Sequence, residues 1–192
     1  MKKYIVTGAG QGIGYQIAQQ LMAEGHVVVI NDINPSLLSG PYTIAGDVSS
    51  IEFIQELVSY AQSLPGELAG CVCNAGMTTF GSFWDYSPES MKSLLDLNIQ
   101  GTFFLIQEVA KAIRSAGNPG SIVVTSSVTG HQAHPDLAAY GMTKAALNQL
   151  VQNLVTDLSP VQIRINAVSP GATMTERTEK DANYLKEWSR LT

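Results

Sequence analysis

Four glycines fall within the eight residues Thr7-Gly8-Ala9-Gly10-Gln11-Gly12-Ile13-Gly14, after the apolar run Tyr4-Ile5-Val6 and ahead of a segment with helical periodicity. Glycine lets the backbone turn sharply and approach a pyrophosphate, and the positive end of the following helix then faces that anion. The spacing is T-G-x-x-x-G-x-G. The commoner G-x-G-x-x-G does not fit, because its last position falls on Ile13 counted from Gly8 and on Tyr15 counted from Gly10. If this is a phosphate loop, Gly8, Gln11, Gly12, Ile13 and Gly14 are its expected cofactor contacts. Glycine-rich turns without a ligand are common, so the strand before and the helix after carry the assignment.

Along the rest of the chain, short β-branched runs alternate with longer helical segments, and no linker, low-complexity tract or repeat interrupts them. That alternation marks an α/β fold, a doubly wound parallel sheet. Strands are predicted over residues 4–7, 27–31, 42–45, 68–73, 121–126 and 162–168, each short and mostly apolar, as strands covered on both faces should be. Helices are predicted over 12–24, 51–63, 88–115 and 136–158, closed by Gly25, Pro65, Gly117 and Pro160. The connection 33–41 holds Pro35, Gly40 and Pro41 and is too tight for a crossover helix; a loop or a single turn is expected.

A chain of 192 residues fits one domain at the usual ~100–200 residues per domain. Its 11 Lys and Arg are outnumbered by 16 Asp and Glu, which argues against a surface that neutralises phosphate backbones, so no nucleic-acid partner is expected. Cys71 and Cys73 stand two apart in a predicted strand and point the same way, a poor arrangement for a mutual disulfide; they read as small buried hydrophobes. The N-terminal apolar run falls short of the ~7–15 residues of a secretory signal, and no run approaches the ~20 that span a bilayer. The chain is therefore expected to be soluble and cytoplasmic, with no membrane partner.

Asp32 closes the second predicted strand, 18 residues beyond Gly14. A carboxylate there can accept from both hydroxyls of an adenosine ribose and repels a 2′-phosphate. With no Arg or Lys beside it, NAD is expected over NADP; turn formation at Asn31-Asp32 is the plainer alternative. In Gly46-Asp47-Val48, Asp47 and Val48 lie at the carboxyl edge where an adenine can rest, although Asp47 capping the next helix explains it equally well.

Tyr140 and Lys144 stand four residues apart, which puts both on one face of the predicted helix. With seven tyrosines in the chain such a pair alone is weak, and context carries it. The fifth predicted strand ends at Ser126-Ser127, at the edge where open α/β sheets place ligands, and Tyr140 follows thirteen residues after Ser127. Thr7-Gly8 with Gly12 and Gly14, Asn74-Ala75-Gly76, Asn98, Ser127, Tyr140 with Lys144, and Pro170-Gly171 with Thr175 together resemble a short-chain dehydrogenase/reductase of the compact branch, from Tyr4 to about Thr175.

The resemblance implies a Rossmann-like sheet in the order 3-2-1-4-5-6 and an NAD-dependent oxidoreductase acting on a secondary alcohol or ketone. It implies that Tyr140 is the acid/base, that Lys144 also holds the nicotinamide ribose, that Ser127 hydrogen-bonds the reacting oxygen, and that Asn98 supports a water relay to Lys144. Asn74, Ala75 and Gly76 then approach the cofactor ribose, while Pro170, Gly171 and Thr175 lie against the nicotinamide, with Val168 or Ala172 near its carboxamide. No metal is implied. A free phenol, with a pKa of about 10, is mostly protonated at neutral pH, and a cation within about 4–6 Å lowers such a pKa by ~1–3 units; Lys144 supplies that cation. Cys73 replaces an asparagine often found in the family, which puts some sheet-stabilising hydrogen bonds in question. His131 and His134 read as solvated loop residues before substrate contacts, and Phe80, Phe83, Trp84 and Met174 as an apolar ligand wall or ordinary packing.

Family members ordinarily continue through a seventh strand, which this chain, ending at Thr192, is expected to lack. Residues 1–171 are expected to form the dinucleotide-binding catalytic part, and 172–192 a substrate loop and C-terminal helix of the same domain, with Ala182, Leu185, Trp188 and Leu191 on one face. The short end leaves a second possibility, a non-catalytic NAD-binding protein or a truncated fragment of such an enzyme. The resemblance also implies a homodimer, because in the family the long helices here at 88–115 and 136–158 commonly build a two-fold face; Val151, Leu154, Val155 and Leu158 recur on the second at helical spacing.

Overall fold

The first two strands, β1 (Lys2–Val6) and β2 (Val27–Asp32), alternate their side chains between two separate cores. Ile5 and Val29 join a cluster with Leu57, Ile106, Val109 and Leu147, whereas Val6, Val28 and Ile30 join Ala18 on the opposite face. Neighbouring side chains of a strand point to opposite faces, so burial on both sides demands the near-continuous apolar runs that the sequence carries. The computed structural model describes residues 1–176, 178 and 179. The remaining strands are β3 (Thr43–Ala45), β4 (Glu67–Cys73), β5 (Gly120–Thr125) and β6 (Ile163–Val168), and all six pair in parallel in the order β3-β2-β1-β4-β5-β6. The doubly wound sheet is as expected.

The helices are α1 (Gly12–Ala23), α2 (Ile51–Ser63), α3 (Pro88–Leu95), α4 (Thr102–Ser115) and α5 (Ala138–Leu158). The starts of α2 and α3 follow from their caps: Ser50 Oγ accepts from Phe53 N–H, and Ser87 Oγ accepts from Ser90 N–H just ahead of Pro88. By contrast, α1 begins at an extended Gln11 with no side-chain cap of this kind. The connection 33–41 holds one short turn, Pro35–Leu37, capped by Asn34.

The single helix expected over 88–115 is broken. Between α3 and α4 lies a π-helical turn, Asp96–Gly101, whose widened backbone re-aims Asn98. Gly101 belongs at its end because a Cβ there would lie 2.4 Å from the Val48 carbonyl oxygen. The last helix also starts later than expected: Asp136 has φ 56°, in the left-handed region, so helical geometry begins at Ala138. Of the α5 stripe, Val151 and Leu158 are committed to the chain's own core, and Val155 remains exposed. Cys71 and Cys73 are buried free thiols side by side, with sulfurs 3.8 Å apart. The helix expected beyond Glu179, with Ala182, Leu185, Trp188 and Leu191, lies outside the described residues. Among the described residues no helix is long and apolar enough to cross a membrane.

Candidate active site

The carboxyl ends of the strands open into a cleft of about 640 Å³ that runs from the glycine loop to Tyr140 and Lys144. Gly8 and Gly12 both take positive φ, 59° and 61°, which only glycine adopts without strain. Gly8 also needs its missing side chain: a Cβ would lie 2.8 Å from Ala75 Cα, so the loop is seated directly on the end of β4. Gly8, Gln11, Gly12 and Ile13 line the cleft; Gly14 stands behind it, where a Cβ would lie 2.5 Å from both Asn74 Nδ2 and the Gly8 carbonyl oxygen.

Asn74 ties this loop down. Its Nδ2 donates to the carbonyls of Thr7 and Gly8 at 3.1 and 3.0 Å, while Asn74 N–H and Ala75 N–H both donate to Thr7 Oγ1. Cys73, which replaces an asparagine often found in the family, is packed in the core. Asp32 is nearly buried and both of its oxygens are engaged: Oδ2 accepts from Gly10 N–H and Oδ1 from Asn34 N–H, each at 3.0 Å. It therefore forms the turn and also faces the cleft. Asp47 and Val48 line the cleft as well. Asp47 accepts from Ser49 N–H at 2.8 Å, and the cap of α2 is Ser50, not Asp47.

At the other end Ser127, half-buried Tyr140 and Lys144 share the wall with Asn74, Ala75 and Gly76. The Lys144 ammonium donates to the Thr125 carbonyl at 2.8 Å and lies 5.6 Å from the centre of the Tyr140 ring. Ser126 Oγ donates to the Lys144 carbonyl at 3.0 Å, which pins α5 to the end of β5. Asn98 does not line the cleft. Its Nδ2 donates to Met77 O and to Thr143 Oγ1, and its Oδ1 accepts from Met77 N–H. Asn98 and Lys144 meet at Gly76, where a Cβ would sit 3.3 Å from Asn98 Oδ1 and 3.5 Å from Lys144 Nζ.

Burial pulls the Lys144 ammonium down to about 8 from its usual 10.5. Between those values the unfolded chain holds more protons on this lysine than the folded protein does, so stability rises with pH across that window as the cost of the buried charge is relieved. Lys144→Met removes that charge at every pH. Its stability relative to wild type is expected to be higher by about 2–3 kcal/mol at pH 7 than at pH 10, by urea unfolding. Taking the difference from wild type cancels the opposing contributions of Lys3, lowered by burial, and Cys71, raised by burial. A pH-independent difference would mean that the Lys144 charge is solvated.

Pro170, Gly171 and Thr175 line the cleft; Val168 and Ala172 are exposed and do not. His131 turns away to Ser169 and Asn148, at 3.1 Å from each. Thr125 was not legible as a site residue. Its carbonyl holds Lys144 and its hydroxyl donates to Asn74 Oδ1 at 3.3 Å, and its only local signal is a hydroxyl closing an apolar strand. The residues present fit a dinucleotide: closely approachable glycines at an α1 start with no capping side chain of its own, and an acid at the end of β2. Among the described residues no group of His, Cys, Asp and Glu could hold a metal.

The family described as short chain dehydrogenase matches this chain over residues 2–185. The diacetyl reductase [(S)-acetoin forming] of Staphylococcus epidermidis is 31% identical over 190 residues, covering 93% of this chain and 74% of that one. The L-rhamnose 1-dehydrogenase (NAD(P)(+)) of Azotobacter vinelandii is also 31% identical, over 206 residues, covering all of this chain and 80% of its own length. Among solved structures, a short-chain type dehydrogenase/reductase from Mycobacterium marinum superposes with a TM-score of 0.92 at 29% identity, covering 98% of this chain and 80% of that one.

Proposed function

The chain belongs to the short-chain dehydrogenase/reductase family, and from that premise we propose that it is an NAD-dependent oxidoreductase interconverting a secondary alcohol and a ketone. The observation that carries this reading is that Ser127, Tyr140 and Lys144 line the same cleft as the glycine loop and Asp32. A bound nicotinamide supplies the hydride acceptor or donor. The chain's own residues handle the proton: Tyr140 takes it from the substrate hydroxyl or returns it to the carbonyl, beside the Lys144 ammonium 5.6 Å from the centre of its ring. Ser127 donates to the substrate oxygen, and Asn98 holds Met77 and Thr143 so that the wall around Lys144 keeps its shape. The relatives named for diacetyl and L-rhamnose support a small carbonyl or hydroxyl compound as the class of substrate.

NAD is proposed over NADP because the Asp32 carboxylate faces the adenosine end of the cleft with no cation beside it in the sequence. NAD(H) is expected to bind at least about tenfold more tightly than NADP(H), a difference of about 1.4 kcal/mol. Fluorescence titration with both cofactors measures it, and tighter NADP(H) binding would overturn the assignment. We further propose a homodimer across α4 and α5, where Phe103, Met142 and Val155 are exposed apolar side chains. Size exclusion with light scattering is expected to give twice the chain mass; a monomer at micromolar concentration would contradict it.

A further inference from the structure

The first N–H of α1 is already taken. Gly12 N–H donates to Glu176 Oε2 at 3.0 Å, at a helix start that has no cap of its own. Unpaired N–H groups at such a start, together with the helix dipole, are what would hold a dinucleotide pyrophosphate. The contact is not a stray approach of a long side chain. Thr175, the preceding residue, packs on Gly12, where a Cβ would lie 3.4 Å from its methyl carbon. Thr175 N–H donates to Thr178 Oγ1 at 2.7 Å, and the nearly buried Thr178 hydroxyl reaches the Thr173 carbonyl at 3.1 Å. This knitted turn roofs the glycine loop: Thr173, Thr175 and Thr178 all line the cleft.

Resting on the dinucleotide reading above, we infer that Glu176 is a built-in competitor for the cofactor pyrophosphate. A carboxylate and a pyrophosphate cannot share the Gly12 N–H, and two like charges at one helix start repel. Cofactor binding therefore requires the Glu176 carboxylate to leave the Gly12 N–H, and the apparent affinity is reduced by the fraction of molecules in which it is docked.

The test is calorimetric titration of NAD+ into wild type, Glu176→Gln, Glu176→Ala and a control, Glu56→Gln, which makes the same charge change on the exposed face of α2. Both Glu176 variants are expected to bind NAD+ at least about threefold more tightly than wild type, with the control within about twofold of it. Equal or weaker binding by both Glu176 variants, or the same gain in the control, would overturn the inference while leaving the dinucleotide reading intact. If neither wild type nor any variant binds NAD+ or NADP+, the dinucleotide reading falls and this inference with it.

Discussion

Tyr140→Phe is expected to lower turnover by about 10²–10⁴ while leaving dinucleotide affinity nearly unchanged. The substitution deletes one oxygen and keeps the ring, which lies 5.6 Å from the Lys144 ammonium at the start of a helix anchored to the end of β5 by Ser126. The Lys144 bond to the Thr125 carbonyl does not involve the phenol, so the lysine should hold its place. Loss restricted to kcat, with cofactor titration unchanged, is the signature of a missing proton-transfer group. Wild-type turnover in the variant would assign the acid/base role elsewhere, and a parallel loss of cofactor affinity would make the ring hydroxyl a binding group.

The second large effect belongs to Gly14, which stands behind the cleft wall. Gly14→Ala would place a methyl group 2.5 Å from Asn74 Nδ2 and equally close to the Gly8 carbonyl oxygen. Relief requires Asn74 to abandon its bonds to Thr7 and Gly8, or the helix start to shift, and either change moves the phosphate loop. Overpacking costs about 1–3 kcal/mol, and leaving buried polar groups unpaired costs a similar amount, so a loss of about 3 kcal/mol by urea unfolding is expected. Dinucleotide affinity should fall by more than about tenfold, because the donors of α1 no longer face the cleft in register. Truncating Asn74 in the same chain should not restore either property, since the Gly8 carbonyl remains as close. Wild-type stability in Gly14→Ala would show that the loop yields freely and that its packing against Asn74 matters little.

The central strands β2 and β4 were readable in the sequence because burial on two faces leaves a local mark, a near-continuous apolar run, whereas β6 alternates buried Ile163 and Ile165 with exposed Arg164 and Asn166. The glycine loop was readable for a similar reason: positive φ and close approach select glycine at Gly8 and Gly12 whatever surrounds them. Boundaries were less so. The π turn at Asp96–Gly101 left the helical periodicity of 88–115 intact, because what selects it is contact with Met77, Thr143 and Val48, all outside that helix. The apolar stripe of α5 was visible, yet spacing alone could not say that Val151 and Leu158 face inward while Val155 does not.

By itself the sequence determined the order of strands and helices and the inventory of chemistry: which glycines turn, which acid closes β2, and which tyrosine, lysine and serine stand at carboxyl edges. Only the tertiary structure decided which of these meet. It set Gly14 behind the cleft wall against Asn74, gave Lys144 the Thr125 carbonyl as its partner, and carried Glu176 onto the N–H of Gly12, 164 residues away. The physical reason is range. Propensity, periodicity and left-handed φ are satisfied among near neighbours and leave their imprint there. A hydrogen bond or a van der Waals contact falls off within a few ångströms, so partners far apart in the chain are chosen only when the packed sheet brings them together.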